Sequence, residues 1–218
     1  MNEHQQTLET LKDIRSMMDR SSRFISLSGL SGVAAGTCAL VGAWVARGVI
    51  QSGVEEHSGL RNGYEGLKGS RGISITVHPG STLLLIAVVT FFSAVLLAFI
   101  FTWMRSRKTG VSVFGPISWR LILAVGLPIL IGSVFLIKLM EAGTFGLIAP
   151  ACLLFYGLGL INASRFTTSE IRFLGYAILA VGVLNLFFTG HGLYFWAFGF
   201  GVLHILYGIL MWYRYERS

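Results

Sequence analysis

The feature that most constrains this chain is a set of six long apolar runs, at about 24–46, 82–104, 117–137, 144–162, 171–189 and 193–213. A helix of about 20 apolar residues matches the hydrocarbon thickness of a bilayer. A strand with an open edge would leave its backbone amides without partners in lipid, and these runs are continuous rather than alternating, so a barrel does not fit. The sequence therefore predicts an all-α integral membrane protein with six transmembrane helices. Composition agrees: 54% of the residues are hydrophobic and 12% charged, whereas about a quarter of a soluble domain is charged.

The basic residues set the expected orientation. With the N-terminus inside, the cytoplasmic segments hold twelve of the 17 lysines and arginines, among them Arg15, Arg20, Arg23, Arg105, Arg107, Lys108, Arg165, Arg172 and Arg214. The outer segments hold Arg47, Arg61, Lys68, Arg71 and Lys138, diluted by Glu55, Glu56, Glu65 and Glu141. The positive-inside bias then places both termini in the cytoplasm. The net charge of +7 is accounted for by these ends of apolar runs, so no nucleic-acid partner is expected. Trp44, Trp103, Trp119, Trp196 and Trp212 all fall near run ends, where an indole keeps its ring buried and its N–H wet.

The expected organisation follows. Residues 1–23 form a short cytoplasmic amphipathic helix, with Leu8, Leu11, Ile14 and Met18 at three- and four-residue steps. Glu3, Glu9, Asp13 and Asp19 make this segment unlike a cleavable signal. Residues 24–104 hold the first two spans with an outer loop at 47–81, in which Ile73, Ile75 and Val77 alternate with polar residues in a strand-like pattern. A cytoplasmic loop at 105–116 leads to a compact four-helix unit at 117–213, joined by tight turns, and a tail at 214–218.

Chemistry-bearing residues are few. His204, Asn185 and Asn162 are polar positions at membrane depth, where an unpaired polar group is costly. His204 either lines a path for a solute or bonds a tyrosine such as Tyr156, Tyr176 or Tyr207. Pro128 and Pro150 interrupt the third and fourth runs and either open a cavity or bend the bundle. No Asp or Glu lies inside any run, which argues against a proton- or cation-coupled carrier. Cys38 and Cys152 lack metal-ligand spacing and read as packing residues. There is no phosphate-binding loop, HExxH helix or GxSxG elbow, and nothing predicts a cofactor or metal.

Association is better supported. Leu11, Ile14 and Met18 give the lead-in an apolar stripe suited to a protein partner, a second copy, the anionic inner leaflet or the underside of the bundle. Gly32 and Gly36 allow close approach of another helix, within the chain or outside it. The leading expectation is a non-catalytic polytopic protein acting by self- or partner association among membrane lipid. The alternatives are a small-solute channel or transporter with its path near His204, and a lipid-modifying enzyme using His191 or His78.

The stretch from Ile14 to Gly32 (IRSMMDRSSRFISLSGLSG), together with YGLGLINASRFTTSEIRFLGY and FWAFGFGVLHILYGILMWYRYE between Tyr156 and Glu216, resembles a family of small polytopic bacterial inner-membrane proteins of unassigned function. The resemblance covers roughly a third of the chain. It implies a bacterial inner-membrane location and carries over no catalytic or binding residue.

Overall fold

The structure, a computed structural model, describes residues 28–62, 79–109 and 115–215. The expected lead-in with Leu8, Leu11, Ile14 and Met18, and the alternating segment at Ile73–Val77, lie outside the described residues. Nearly all of the described residues are helical: α1 (Gly29–Asn62), α2 (Pro79–Thr109), α3 (Pro116–Glu141), α4 (Ile148–Ala163), α5 (Glu170–Phe187), α6 (Gly192–Trp196) and α7 (Leu203–Tyr215). The last two are continuous through a π-helical turn at Ala197–Val202, and together they make the sixth span. Six segments are long and apolar enough to cross a membrane: Gly29–Gln51, Thr82–Lys108, Pro116–Glu141, Phe145–Ala163, Glu170–Phe187 and Thr189–Arg214. Each predicted run has its helix.

Several boundaries differ from expectation, and α2 runs to Thr109, so the first part of the segment expected as the cytoplasmic loop 105–116 is helical. α1 runs on to Asn62, so the first part of the segment expected as loop 47–81 is helical. No proline falls between Arg47 and Asn62, and Gly48, Gly53 and Gly59 weaken a helix without ending it. Pro150 does not interrupt the fourth span; it sits in the first turn of α4, where the missing N–H has no intrahelical acceptor to lose. Pro79 and Pro116 likewise open α2 and α3. Pro128 alone of the four prolines lies in a helix interior.

Among consecutive spans α4 and α5 pack most extensively, whereas the described residues of α2 and α3 are not packed on each other. α2 packs on α1, and α3 packs chiefly on α4. Connection lengths do not foretell that α1 also lies along the sixth span. That seam is lined with small residues. A Cβ on Gly36 would lie 2.6 Å from the carbonyl of Gly201, and one on Gly208 would lie 2.6 Å from the carbonyl of Gly29. Backbones this close gain dispersion contacts, the main attraction available between helices already in lipid.

The core lies between α4, α5 and the sixth span. It is built on Leu153, Leu160, Ile171, Leu174, Ile178 and Val181, with Tyr156, Phe195 and Phe200 packed against it. Large apolar side chains such as Leu85, Phe92, Leu130 and Phe187 are exposed, an arrangement that suits hydrocarbon and not water. At the end of α3, Lys138 and Glu141, three residues apart, form an exposed local ion pair at 2.7 Å.

Candidate functional site: polar residues within and at the end of the helix core

The sixth span places His204 in the core by way of its π-helical turn. Gly199 and Gly201 are both buried there. A side chain on Gly199 would collide with Leu153, and one on Gly201 with Leu40, so the glycines admit α4 on one side and α1 on the other. His204 follows Gly199 by five residues, and its Nδ1 lies 3.1 Å from the Gly199 carbonyl. A carbonyl only accepts, so Nδ1 carries the proton. In the neutral ring Nε2 is then an acceptor, and it takes the Tyr156 hydroxyl at 2.8 Å. Of the three tyrosines the sequence offered, Tyr156 is the partner. Phe200 packs beside both rings, tilted against Tyr156 with centroids 5.1 Å apart and stacked on His204 at 6.2 Å. His204 is 6% exposed: both ring nitrogens are engaged and the ring is enclosed by aromatic neighbours.

Asn162 serves a different purpose. Pro128 has no N–H to donate to the carbonyl of Ala124, four residues earlier. The side-chain amide of Asn162, on α4, donates to that same carbonyl at 2.9 Å. The proline in α3 and the asparagine in α4 are thus two halves of one joint, and the orphaned acceptor becomes an interhelical bond.

Asn185, at the end of α5, is 0% exposed, and neither amide atom meets a hydrogen-bond partner among the described residues. Its carbonyl ends the helix by accepting from the N–H of Phe188. An unbonded buried amide of this kind costs about 1–3 kcal/mol.

At the opposite end of α5 the structure brings together a pair that sequence analysis missed. Glu170 opens α5 and Arg214 lies in the last turn of α7, with Nη1 and Oε1 3.2 Å apart. Ser169 donates to the second carboxylate oxygen at 3.4 Å. The glutamate side chain is 10% exposed and the arginine 64%. A signal was available: Glu170 immediately precedes the fifth run and Arg214 immediately follows the sixth, so antiparallel spans bring opposite charges to one membrane face.

Gly32 and Gly36 lie in the α1–sixth span seam, facing Gly208 and Gly201. Leu11, Ile14 and Met18 lie outside the described residues, as does His78. His191 stands at the opposite end of the bundle from Glu170, near Tyr194, and Cys38 and Cys152 are unbonded thiols. Among the described residues no three of His, Cys, Asp and Glu converge in a way that could hold a metal.

Six helices long and apolar enough to cross a bilayer, with large apolar side chains turned outward, are those of a multi-pass helical membrane protein. No family model matches the chain, and no curated protein and no solved structure is detectably similar to it.

Proposed function

We propose that the chain is a non-catalytic polytopic protein of a bacterial inner membrane, with both termini cytoplasmic, acting by association with a copy of itself or with a protein partner. The observation that carries this reading is that, Asn185 apart, the polar and glycine positions singled out in the interior are already engaged within the bundle. His204 is bonded on both ring nitrogens, Asn162 is held by Ala124, and Gly32 and Gly36 are occupied by the sixth span. What remains for function is surface: the outward faces of α2 and α3, each held chiefly by one neighbour, and the apolar stripe of the N-terminal segment. The orientation rests on twelve of 17 basic residues falling on the cytoplasmic segments.

Crosslinking in native membranes tests the association. Full-length protein is expected to give a discrete crosslinked species that is lost or altered when residues 1–20 are removed. A strictly monomeric protein with the same neighbours after that deletion ends the proposal. A reporter fused after Ser218 is expected to be active only in the cytoplasm.

A further inference from the structure

We propose that the groove between the start of α5 and the end of α7 holds one phospholipid with a phosphoethanolamine headgroup. α5 and α7 touch only sparsely, and the groove between them has a volume of about 560 Å³. Glu170, Phe173 and Ala177 line one wall, and Tyr207, Leu210 and Arg214 the other. Each stripe runs over eight residues of helix, a rise of about 10 Å.

Polarity is distributed along this length as in an amphiphile. Charge lies at one end, where Glu170 and Arg214 flank the boundaries of their apolar spans. Aromatic and aliphatic side chains line the remainder. A ligand filling the groove therefore has a charged head at the level of the membrane interface and a hydrocarbon chain against Phe173, Ala177 and Leu210.

The headgroup class follows from the two signs of charge. The largely exposed guanidinium of Arg214 offers donors in the planar fork that suits a phosphate. The carboxylate of Glu170, 3.2 Å from it, accepts from the ammonium of the same headgroup, giving an alternating arrangement of four charges. An anionic lipid without an amine would satisfy Arg214 while bringing a second negative charge to a nearly buried glutamate. A choline headgroup has no N–H to donate. A zwitterion with N–H donors meets both requirements. This inference is independent of the association reading, because it concerns a different surface.

Native mass spectrometry of the full-length protein in detergent provides the test, with phosphatidylethanolamine, phosphatidylcholine and phosphatidylglycerol of identical chains as probes. One phosphatidylethanolamine is expected to be retained, about tenfold more tightly than either of the others, the equivalent of one hydrogen bond to a charged group. Glu170→Gln is expected to abolish the preference over phosphatidylcholine, and Arg214→Gln to weaken retention of both phosphatidylethanolamine and phosphatidylglycerol. Ala177→Phe fills the apolar part and leaves the ion pair in place, so it is expected to reduce phosphatidylethanolamine retention at unchanged melting temperature. Equal retention of the three lipids, a preference for phosphatidylglycerol, or unchanged retention by Ala177→Phe overturns the proposal. Competition by glycerophosphoethanolamine as strong as that by the whole lipid also overturns it, since that would mark a soluble-headgroup site. If Glu170→Gln does not fold, the wild-type lipid ratios and Ala177→Phe still decide the matter.

Discussion

Asn162 on α4 donates its side-chain amide to the main-chain carbonyl of Ala124 on α3, the acceptor that Pro128 leaves without its helical donor. This relationship yields a double-mutant cycle. Asn162→Ala is expected to destabilise the protein by about 1 kcal/mol, the usual scale of an interhelical hydrogen bond in a membrane. In a Pro128→Ala background, where an N–H returns to Ala124, the same change is expected to cost measurably less. Unfolding monitored in mixed micelles supplies all four energies, and additive effects would show that the joint does not exist.

Tyr156 and His204 give a second prediction. Tyr156→Phe removes the hydroxyl and leaves Nε2 as a buried acceptor, so a loss of about 1–3 kcal/mol is expected. Nitrogen NMR of the labelled ring at neutral pH is expected to report the tautomer protonated on Nδ1. Finding the proton on Nε2 would contradict the donor role at Gly199.

The glycine seam separates crowded glycines from open ones. Gly36→Leu and Gly208→Leu place atoms against the backbone of the facing helix. Each is expected to cost about 1–3 kcal/mol or more through overpacking and to push α1 off the sixth span. A Cβ at Gly48 meets nothing within 4 Å, so Gly48→Ala is expected to be neutral or stabilising by up to about 1 kcal/mol. Thermal unfolding in detergent distinguishes them, and equal sensitivity at the three positions would refute the seam.

Asn185 allows a test in the opposite direction. Asn185→Leu substitutes an apolar side chain of similar size for a buried amide with no bonding partner, and it is expected to leave stability unchanged or raise it by about 1–3 kcal/mol. A clear loss of stability would mean that the amide has a structural partner.

Much of the site was legible and some was not, for reasons that lie in particular residues. His204 was marked by polarity at depth, and a bond to tyrosine was foreseen, but three tyrosines were compatible with the sequence. The π-helical turn, which sets the rotation of the sixth span, leaves no trace in apolar periodicity. Asn162 and Pro128 were each noticed, yet nothing local tied them together, because the link passes through the backbone carbonyl of a third residue, Ala124. Glu170 and Arg214 each read along the chain only as the edge of an oily run, and their ion pair depends on how the fifth and sixth spans are set side by side.

Apolar run length alone dictates the solvent, the number of spans and their helical character. These follow from the thickness of hydrocarbon and from the cost of an unbonded amide inside it, which any sufficiently apolar run must obey. Tertiary structure alone decided that α1 closes against the sixth span, that Tyr156 rather than Tyr176 or Tyr207 meets His204, and that opposite charges share the head of one groove. In lipid every apolar face is equally content with its surroundings, so partner choice falls to shape and to a few hydrogen bonds. Those depend on how helices rotate and cross, which hydrophobic spacing along a single run does not encode.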